Sequence, residues 1–327
     1  MSDKDNLKVG FIGLGIMGAP MAAHLQKAGY RIVVNDVRRE AVAAHEAAGA
    51  QWADTPRQVA EQCEVIFSCL PSLHAIEEVA LGAEGVLAGI RPGQAFFEMS
   101  TSTPELVDRL AQAFAARGAY MLDAPISGGG RGAQRGRLAI WVGGDKAVYT
   151  RYEPVLRAMG DHPVHVGDKV GSGLITKLVH NCASQTTQAA IAEIFVMGVK
   201  AGADPKALWE GIRQGSIGRR RTFDGLIDQF LPQRFEPPQA ALRIIEKDML
   251  IATGVARDLG APMRYANMAL ADIQEAMQRG WSERDCRTVM LLPQERVGVD
   301  IKVPFEELEE VLQRDPAAPT DTRYGSQ

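Results

Sequence analysis

Through roughly its first half the chain alternates short apolar runs with stretches of helical spacing, and then the alternation stops. The runs at 8–12, 31–34, 65–70, 94–98, 120–124 and 138–142 have the length and near-continuous apolarity of strands buried on both faces. Between them, 17–28, 41–48, 76–81, 104–117 and 147–159 read as helices, with Gly29, Gly118 and Gly160 placed to end three of them. Such alternation predicts a doubly wound parallel sheet with helices on its faces. After Gly171-Ser172-Gly173 the texture changes: 174–201 runs without proline, is rich in Ala, Ile, Val and Gln, and is closed by Gly202. Helices are also predicted at 207–214, 222–231, 239–258, 262–279 and 283–294, and nothing beyond Gly173 reads as a parallel strand. The expected organisation is therefore an α/β sheet domain over 1–168, an all-α domain over 169–314 entered through the long helix, and a flexible polar tail over 315–327.

Composition narrows the possible partners. At 327 residues two domains are expected, and 36 basic against 40 acidic side chains give a net charge of −4, which draws the chain neither to nucleic acid nor to an anionic membrane. Cys63, Cys69, Cys182 and Cys286 form neither Cys-x-x-Cys pairs nor a Cys/His pattern, so no metal site is expected and reduced thiols are. The polar start at Met1 to Asn6 and the lack of an apolar run approaching about 20 residues predict a cytoplasmic protein.

The first predicted strand runs into Gly13-x-Gly15-x-x-Gly18. A glycine at the first position permits the tight turn, at the second the close approach of backbone to a pyrophosphate, and at the third close packing of helix on strand. The helix start, with Ile16 and Met17 between the glycines, offers unpaired amides to the phosphates. Asn35 and Asp36 close the second strand. A carboxylate there can accept the adenosine ribose hydroxyls and repel a ribose phosphate, so NAD is expected over NADP, with Arg38 and Arg39 partly offsetting the repulsion.

Two further segments can carry chemistry. In Asp123-Ala-Pro-Ile-Ser127-Gly128-Gly129 a strand ends in a serine and paired glycines, whose hydroxyl and amides suit a substrate carboxylate; a plain turn has the same spacing. In Gly171-Ser-Gly-Leu-Ile-Thr-Lys177-Leu-Val-His-Asn181, Lys177 and Asn181 share a helix face. Lysine can move a proton when burial and neighbouring charge bring its pKa toward the working pH, and the same spacing also suits a lysine whose stem merely lies along the helix.

The order of these pieces, with Gly-Phe-Ile-Gly-Leu-Gly-x-Met-Gly at the start and Lys247-Asp248-Met near the end, resembles the β-hydroxyacid dehydrogenases, the family of 3-hydroxyisobutyrate dehydrogenase and tartronate semialdehyde reductase. The resemblance covers roughly 7–300 and implies a Rossmann domain, a helical domain and a cleft between them. It implies Lys177 as catalytic acid/base, with Asn181, Ser127, Gly128 and Gly129 binding substrate. It further implies Thr101 near the nicotinamide ribose, Leu70 and Pro71 along the cofactor, and Lys247 reaching toward it. The implied substrate is a small anionic hydroxy acid or its semialdehyde, and the implied assembly a homodimer or homotetramer.

Departures from the family pattern bear on substrate choice. Gly130-Arg131-Gly-Ala-Gln-Arg135-Gly-Arg137 is rich in arginine, but its place between two strands in an acidic chain argues against RNA binding. In Arg219-Arg220-Arg221 the three guanidiniums cannot all face one cleft from a helix, and Arg219 is the candidate to pair with a second anionic group of the substrate. Two rivals share the fingerprint: an imine reductase, and a non-catalytic NAD-binding interaction protein. Both commonly lack a lysine at the position of Lys177.

Overall fold

The computed structural model of the chain describes residues 7–200, 202–214, 224–258 and 263–313. They belong to two compact units, Met1–His180 and Asn181–Gln327.

The first unit is built on strands β1 (Lys8–Ile12), β2 (Arg31–Asn35), β3 (Gln51–Trp52), β4 (Val65–Ser68), β5 (Ala95–Glu98), β6 (Tyr120–Asp123), β7 (Ile126–Ser127), β8 (Ala139–Gly143) and β9 (His162–Gly167). Strands β3-β2-β1-β4-β5-β6 run parallel in that spatial order. The expected all-parallel sheet ends there: β8 joins β6 antiparallel, β7 pairs antiparallel with β8, and β9 pairs parallel with β8. Strand β7 continues the direction of β6, and both pair with β8 in one antiparallel register, Asp123 with Gly143, Ile126 with Ile140 and Ser127 with Ala139, so the chain reverses over 128–138 and returns as a neighbouring antiparallel strand.

Helices α1 (Gly18–Lys27), α2 (Ala43–Ala47), α3 (Pro56–Gln62), α4 (Leu73–Leu81), α5 (Val86–Gly89), α6 (Pro104–Ala116), α7 (Gly129–Arg135) and α8 (Lys146–Met159) complete the unit. Val9, Phe11, Met21, Leu25, Val65, Phe67, Phe97 and Leu122 are buried in one core, where the rings of Phe67 and Phe97 stack at 5.0 Å. Cys63 and Cys286 are buried thiols, and burial pushes both up to about 12.

Between α1 and α2 the Gln26 amide donates to the carbonyls of His45 and Ala48, and its oxygen lies 2.9 Å from His45 Nδ1. This arrangement suits a neutral imidazole that donates from Nδ1, and burial holds the His45 pKa below its ordinary 6.5. Protonation therefore favours the unfolded chain. The stability contributed by neutral His45 is complete above the ordinary value and is lost as pH falls through it toward the folded value. The urea midpoint should decline between pH 8 and pH 5, and less steeply for His45→Gln; equal slopes would contradict this assignment.

The second unit takes most of α9 (Ser172–Lys200), together with α10 (Pro205–Gln214), α11 (Leu242–Asp258), α12 (Arg264–Gln278), α13 (Leu291–Val297) and α14 (Phe305–Gln313). Its core includes Trp209, Phe195, Phe230, Leu242, Met249, Ile273 and Leu292. Two expected helices are shortened. Of 222–231 only a 3₁₀ turn at Asp224–Ile227 forms among the described residues, and 283–294 divides into a 3₁₀ turn, Cys286–Met290, and α13. Buried Asp285 causes the second change: it accepts from the amides of Gln239 and Arg287 and from the Gln229 side chain, fixing an irregular start. Among the described residues no helix is long and apolar enough to cross a membrane, and no cluster of His, Cys, Asp and Glu is arranged to hold a metal ion.

Candidate active site

One register row crosses the carboxyl edge of the sheet: Asn35 faces Ile12, Ile12 faces Ser68, Ser68 faces Glu98, Glu98 faces Asp123, and Asp123 faces Gly143. This is the edge at which open α/β sheets take their ligands. The row is polar yet buried: Asn35, Glu98 and Asp123 each bind backbone beyond the edge, and Ser68 donates to Glu98.

At the first loop, Gly13 has φ +90°, and a Cβ on it would lie 2.4 Å from the carbonyl oxygen of Cys69. A Cβ on Gly18 would lie 1.8 Å from the carbonyl oxygen of Gly13. On Gly15 it would meet nothing within 4 Å, so this glycine leaves open space rather than filling a tight contact. Ile16 is 78% exposed beside it, and Met17 is half-buried. The Asn35 side chain donates to Ala53 O, and the main-chain carbonyl of Asn35 accepts from Gly13 N.

Asp36 is buried, with Oδ2 accepting from Leu14 N at 2.6 Å and Oδ1 from Arg38 N at 2.8 Å. The Arg38 guanidinium stands 3.5 Å from Oδ1. Arg39 is engaged elsewhere, with Glu46 at 2.6 Å and the Trp52 ring at 4.7 Å. These features fit a dinucleotide: a carboxylate beside two backbone amides at the end of β2, and a cradle at Gly15 that a side chain would occupy.

Buried Glu98 joins the next two loops. It accepts from Ser68 Oγ at 2.5 Å and from Ser100 N at 2.6 Å, while Ser100 Oγ accepts from Leu70 N at 2.7 Å. Leu70-Pro71 and Thr101 are thereby tied to one carboxylate. Ser127, Gly128 and Gly129 lead into α7, with positive φ at both glycines, and a Cβ on Gly130 would lie 3.2 Å from Ile16 Cγ2. The fingerprint loop and the Ser127 turn therefore meet. Arg131 and Arg135 lie exposed on α7, and Arg137 pairs with Asp161 at 3.1 Å.

Lys177 is half-buried in the second turn of α9, whose first turn is bound to Asp123. Asn181 follows on the same helix face; it is buried and donates to Asp248 Oδ2 at 2.6 Å. The other oxygen of Asp248 is 3.3 Å from the Lys247 ammonium, so one buried carboxylate gathers two residues that were expected separately. Arg219 lies outside the described residues.

Glu98 and Asp123 hold the loops at this edge and Asp248 holds Asn181 and Lys247, and sequence reasoning gave none of the three that role. A signal was present for two. Glu98 closes Ala-Phe-Phe and Asp123 closes Tyr-Met-Leu, and a charge ending a fully buried strand needs partners that only distant segments can supply.

Comparison with known proteins agrees with this geometry. Residues 8–167 match the model described as the NAD binding domain of 6-phosphogluconate dehydrogenase. Residues 171–292 match that described as NAD-binding of NADP-dependent 3-hydroxyisobutyrate dehydrogenase. The chain is 33% identical over 296 residues to 2-(hydroxymethyl)glutarate dehydrogenase of Eubacterium barkeri, covering 90% of this chain and 98% of that one. It is 41% identical over 210 residues to 3-hydroxyisobutyrate dehydrogenase of Pseudomonas aeruginosa, covering 64% and 70% of the two chains. Among solved structures, the 3-hydroxyisobutyrate dehydrogenase of Mycobacterium tuberculosis with L-serine is similar at a TM-score of 0.79 and 27% identity, covering 88% of this chain and 98% of that one.

Proposed function

The chain belongs to the β-hydroxyacid dehydrogenase family, that of 3-hydroxyisobutyrate dehydrogenase, and from that premise we propose that it interconverts a short hydroxy acid and its semialdehyde or ketone with NAD, using Lys177 as acid/base. The observation that carries the reading is the carboxyl edge of the sheet, where the open Gly15 loop, the Glu98-linked loops, the Ser127 turn and the start of the Lys177 helix are all anchored.

When bound, the dinucleotide supplies hydride exchange with the carbinol carbon. Gly13, Gly15, Ile16, Met17 and Gly18 would cradle its phosphates, with Asn35 and Asp36 at the adenosine ribose. Leu70, Pro71 and Thr101 would line the nicotinamide half, and Lys247 is assigned toward the cofactor on family likeness alone. In oxidation the neutral amine of Lys177 takes the hydroxyl proton; in reduction its ammonium returns that proton to the forming alkoxide. The Ser127 hydroxyl and the Gly128 and Gly129 amides hold the carboxylate, and Asn181, one turn along from Lys177, donates to the reacting oxygen. NAD is favoured because Asp36 keeps a buried negative charge where a ribose phosphate would sit, and Arg39 is already committed to Glu46 and Trp52. Arg219 is assigned to a distal anionic group, and assembly as a homodimer or homotetramer is inferred from the family.

A direct test follows nicotinamide absorbance with NAD⁺ or NADP⁺ and a panel of L-serine, 3-hydroxyisobutyrate and 2-(hydroxymethyl)glutarate, the last a dicarboxylate that engages the Arg219 assignment. Turnover of one or more with NAD⁺, at least about tenfold better in kcat/KM than with NADP⁺, is expected. Inactivity across the panel, with dinucleotide binding intact, would favour the non-catalytic rival; reduction of cyclic imines instead would favour the imine reductase.

A further inference from the structure

Helix α9 starts at Ser172 without a residue of its own to cap it in the usual way. The first turn of any helix leaves backbone N–H groups without intrahelical acceptors, and a side-chain oxygen of the residue just before the helix commonly takes one. That residue here is Gly171, which has no side chain and has φ +102°. The acceptor is supplied from the sheet. Asp123, the last residue of β6, takes Gly171 N on Oδ1 at 2.6 Å and Leu174 N on Oδ2 at 2.5 Å.

The fit is close on every side. A Cβ on Gly143, the register partner of Asp123, would lie 2.4 Å from Oδ1, and one on Gly173 would lie 2.3 Å from Trp141 O and 2.9 Å from Oδ2. The Trp141 ring then rests 5.0 Å from the His180 ring, holding the next turns of α9 to β8. Asp123 is 2% exposed, and its burial raises the pKa while the amide donors lower it.

We propose that Asp123 is a positioning residue: its carboxylate fixes the first turn of α9 to the end of β6, and so sets where Lys177, one turn further along, presents its amine. The proposal rests on the assignment of Lys177 as acid/base. Sequence reading gave Asp123 only to a strand end before a substrate-binding turn; the structure gives it to the catalytic helix. A helix start that rocks by about 1 Å would misplace the amine relative to the carbinol, an error of the size that costs on the order of 10²-fold in rate.

The test uses Asp123→Asn in the full chain. Asparagine keeps the size but presents an NH₂ where one backbone donor needs an acceptor. Amide hydrogen exchange at Gly171 and Leu174 should lose protection, while NADH affinity stays within about twofold. Turnover of 3-hydroxyisobutyrate, or of the panel acid that turns over fastest, should fall about 10- to 100-fold in kcat, with KM changed less than about threefold. In a Lys177→Met background the same substitution should change residual turnover less than about twofold, since a residue acting through Lys177 has nothing left to position.

Unchanged protection at both amides overturns the anchor, and a kcat loss repeated in full without Lys177 overturns the route through it. Failure of the acid/base reading is separately visible, as undiminished turnover in Lys177→Met alone. If Asp123→Asn does not fold, replacing Leu174 by its α-hydroxy acid, which deletes the one N–H and keeps every side chain, should give the same pattern in kcat and KM; a parental kcat there overturns the proposal.

Discussion

Lys177→Met is expected to lower kcat for hydroxy-acid oxidation by about 10² to 10⁴ while leaving NADH affinity within about twofold of the parent. Methionine keeps most of the length and apolar stem of lysine and removes the exchangeable proton, so packing on α9 is largely retained. The loss should be nearly equal in kcat and kcat/KM, because the amine is asked to act mainly as the alkoxide forms or collapses. Stopped-flow transients would localise it to the hydride step, and fluorescence titration of NADH would show the dinucleotide site intact. Brisk turnover by this variant would remove the mechanism proposed here, whereas loss of NADH binding would mean that the lysine serves the cofactor instead.

How far such a site is legible in a sequence depends on the separation of the partners. The Gly13-Gly15-Gly18 turn was readable because its geometry is local: strand, turn and helix follow one another within β1 and α1. Helix α6 was readable too, and Thr103 accepts from Leu106 N in front of Pro104, as a cap and first-turn proline should. The same signal at Thr55-Pro56 went unused, and α3 was missed, because seven residues give too little periodicity. Helix α7 was hidden by composition. Three glycines among its first four residues read as a turn, yet Ala133 packs into the sheet core and Gly136 ends the helix left-handed. Strand β9, His-Pro-Val-His-Val-Gly, has no apolar run at all and exists because β8 offers it an edge.

The long-range ties were beyond reach for a different reason. Asp123 meets its donors 48 to 51 residues away, and Asn181 meets Asp248 across 67. Nothing in either local sequence names the other. What could be read was the anomaly, a carboxylate closing a buried apolar strand, and each such anomaly at this sheet edge proved to be a loop anchor. Two loops at this edge are thus held by buried carboxylates, Glu98 through Ser68 and Ser100 and Asp123 through the amides of Gly171 and Leu174.

The fingerprint glycines allow the nucleotide assignment to be separated from fold stability, because their surroundings differ. At Gly18 any side chain drives a Cβ to 1.8 Å from the Gly13 carbonyl oxygen, so Gly18→Ala must shift the turn and should lower Tm by several degrees as well as abolishing binding. At Gly15 the same Cβ meets nothing within 4 Å, and Gly15 is not among the residues with positive φ. Gly15→Val should therefore fold with a Tm within about 2 °C of the parent, yet lose NADH affinity by about 100-fold or more, because the branched side chain stands where the pyrophosphate must approach the backbone. Calorimetric melting and NADH titration of the two variants decide the matter. A Gly15→Val protein that melts normally and still binds NADH tightly would place the dinucleotide elsewhere, and with it the orientation of every group assigned to the carboxyl edge of the sheet.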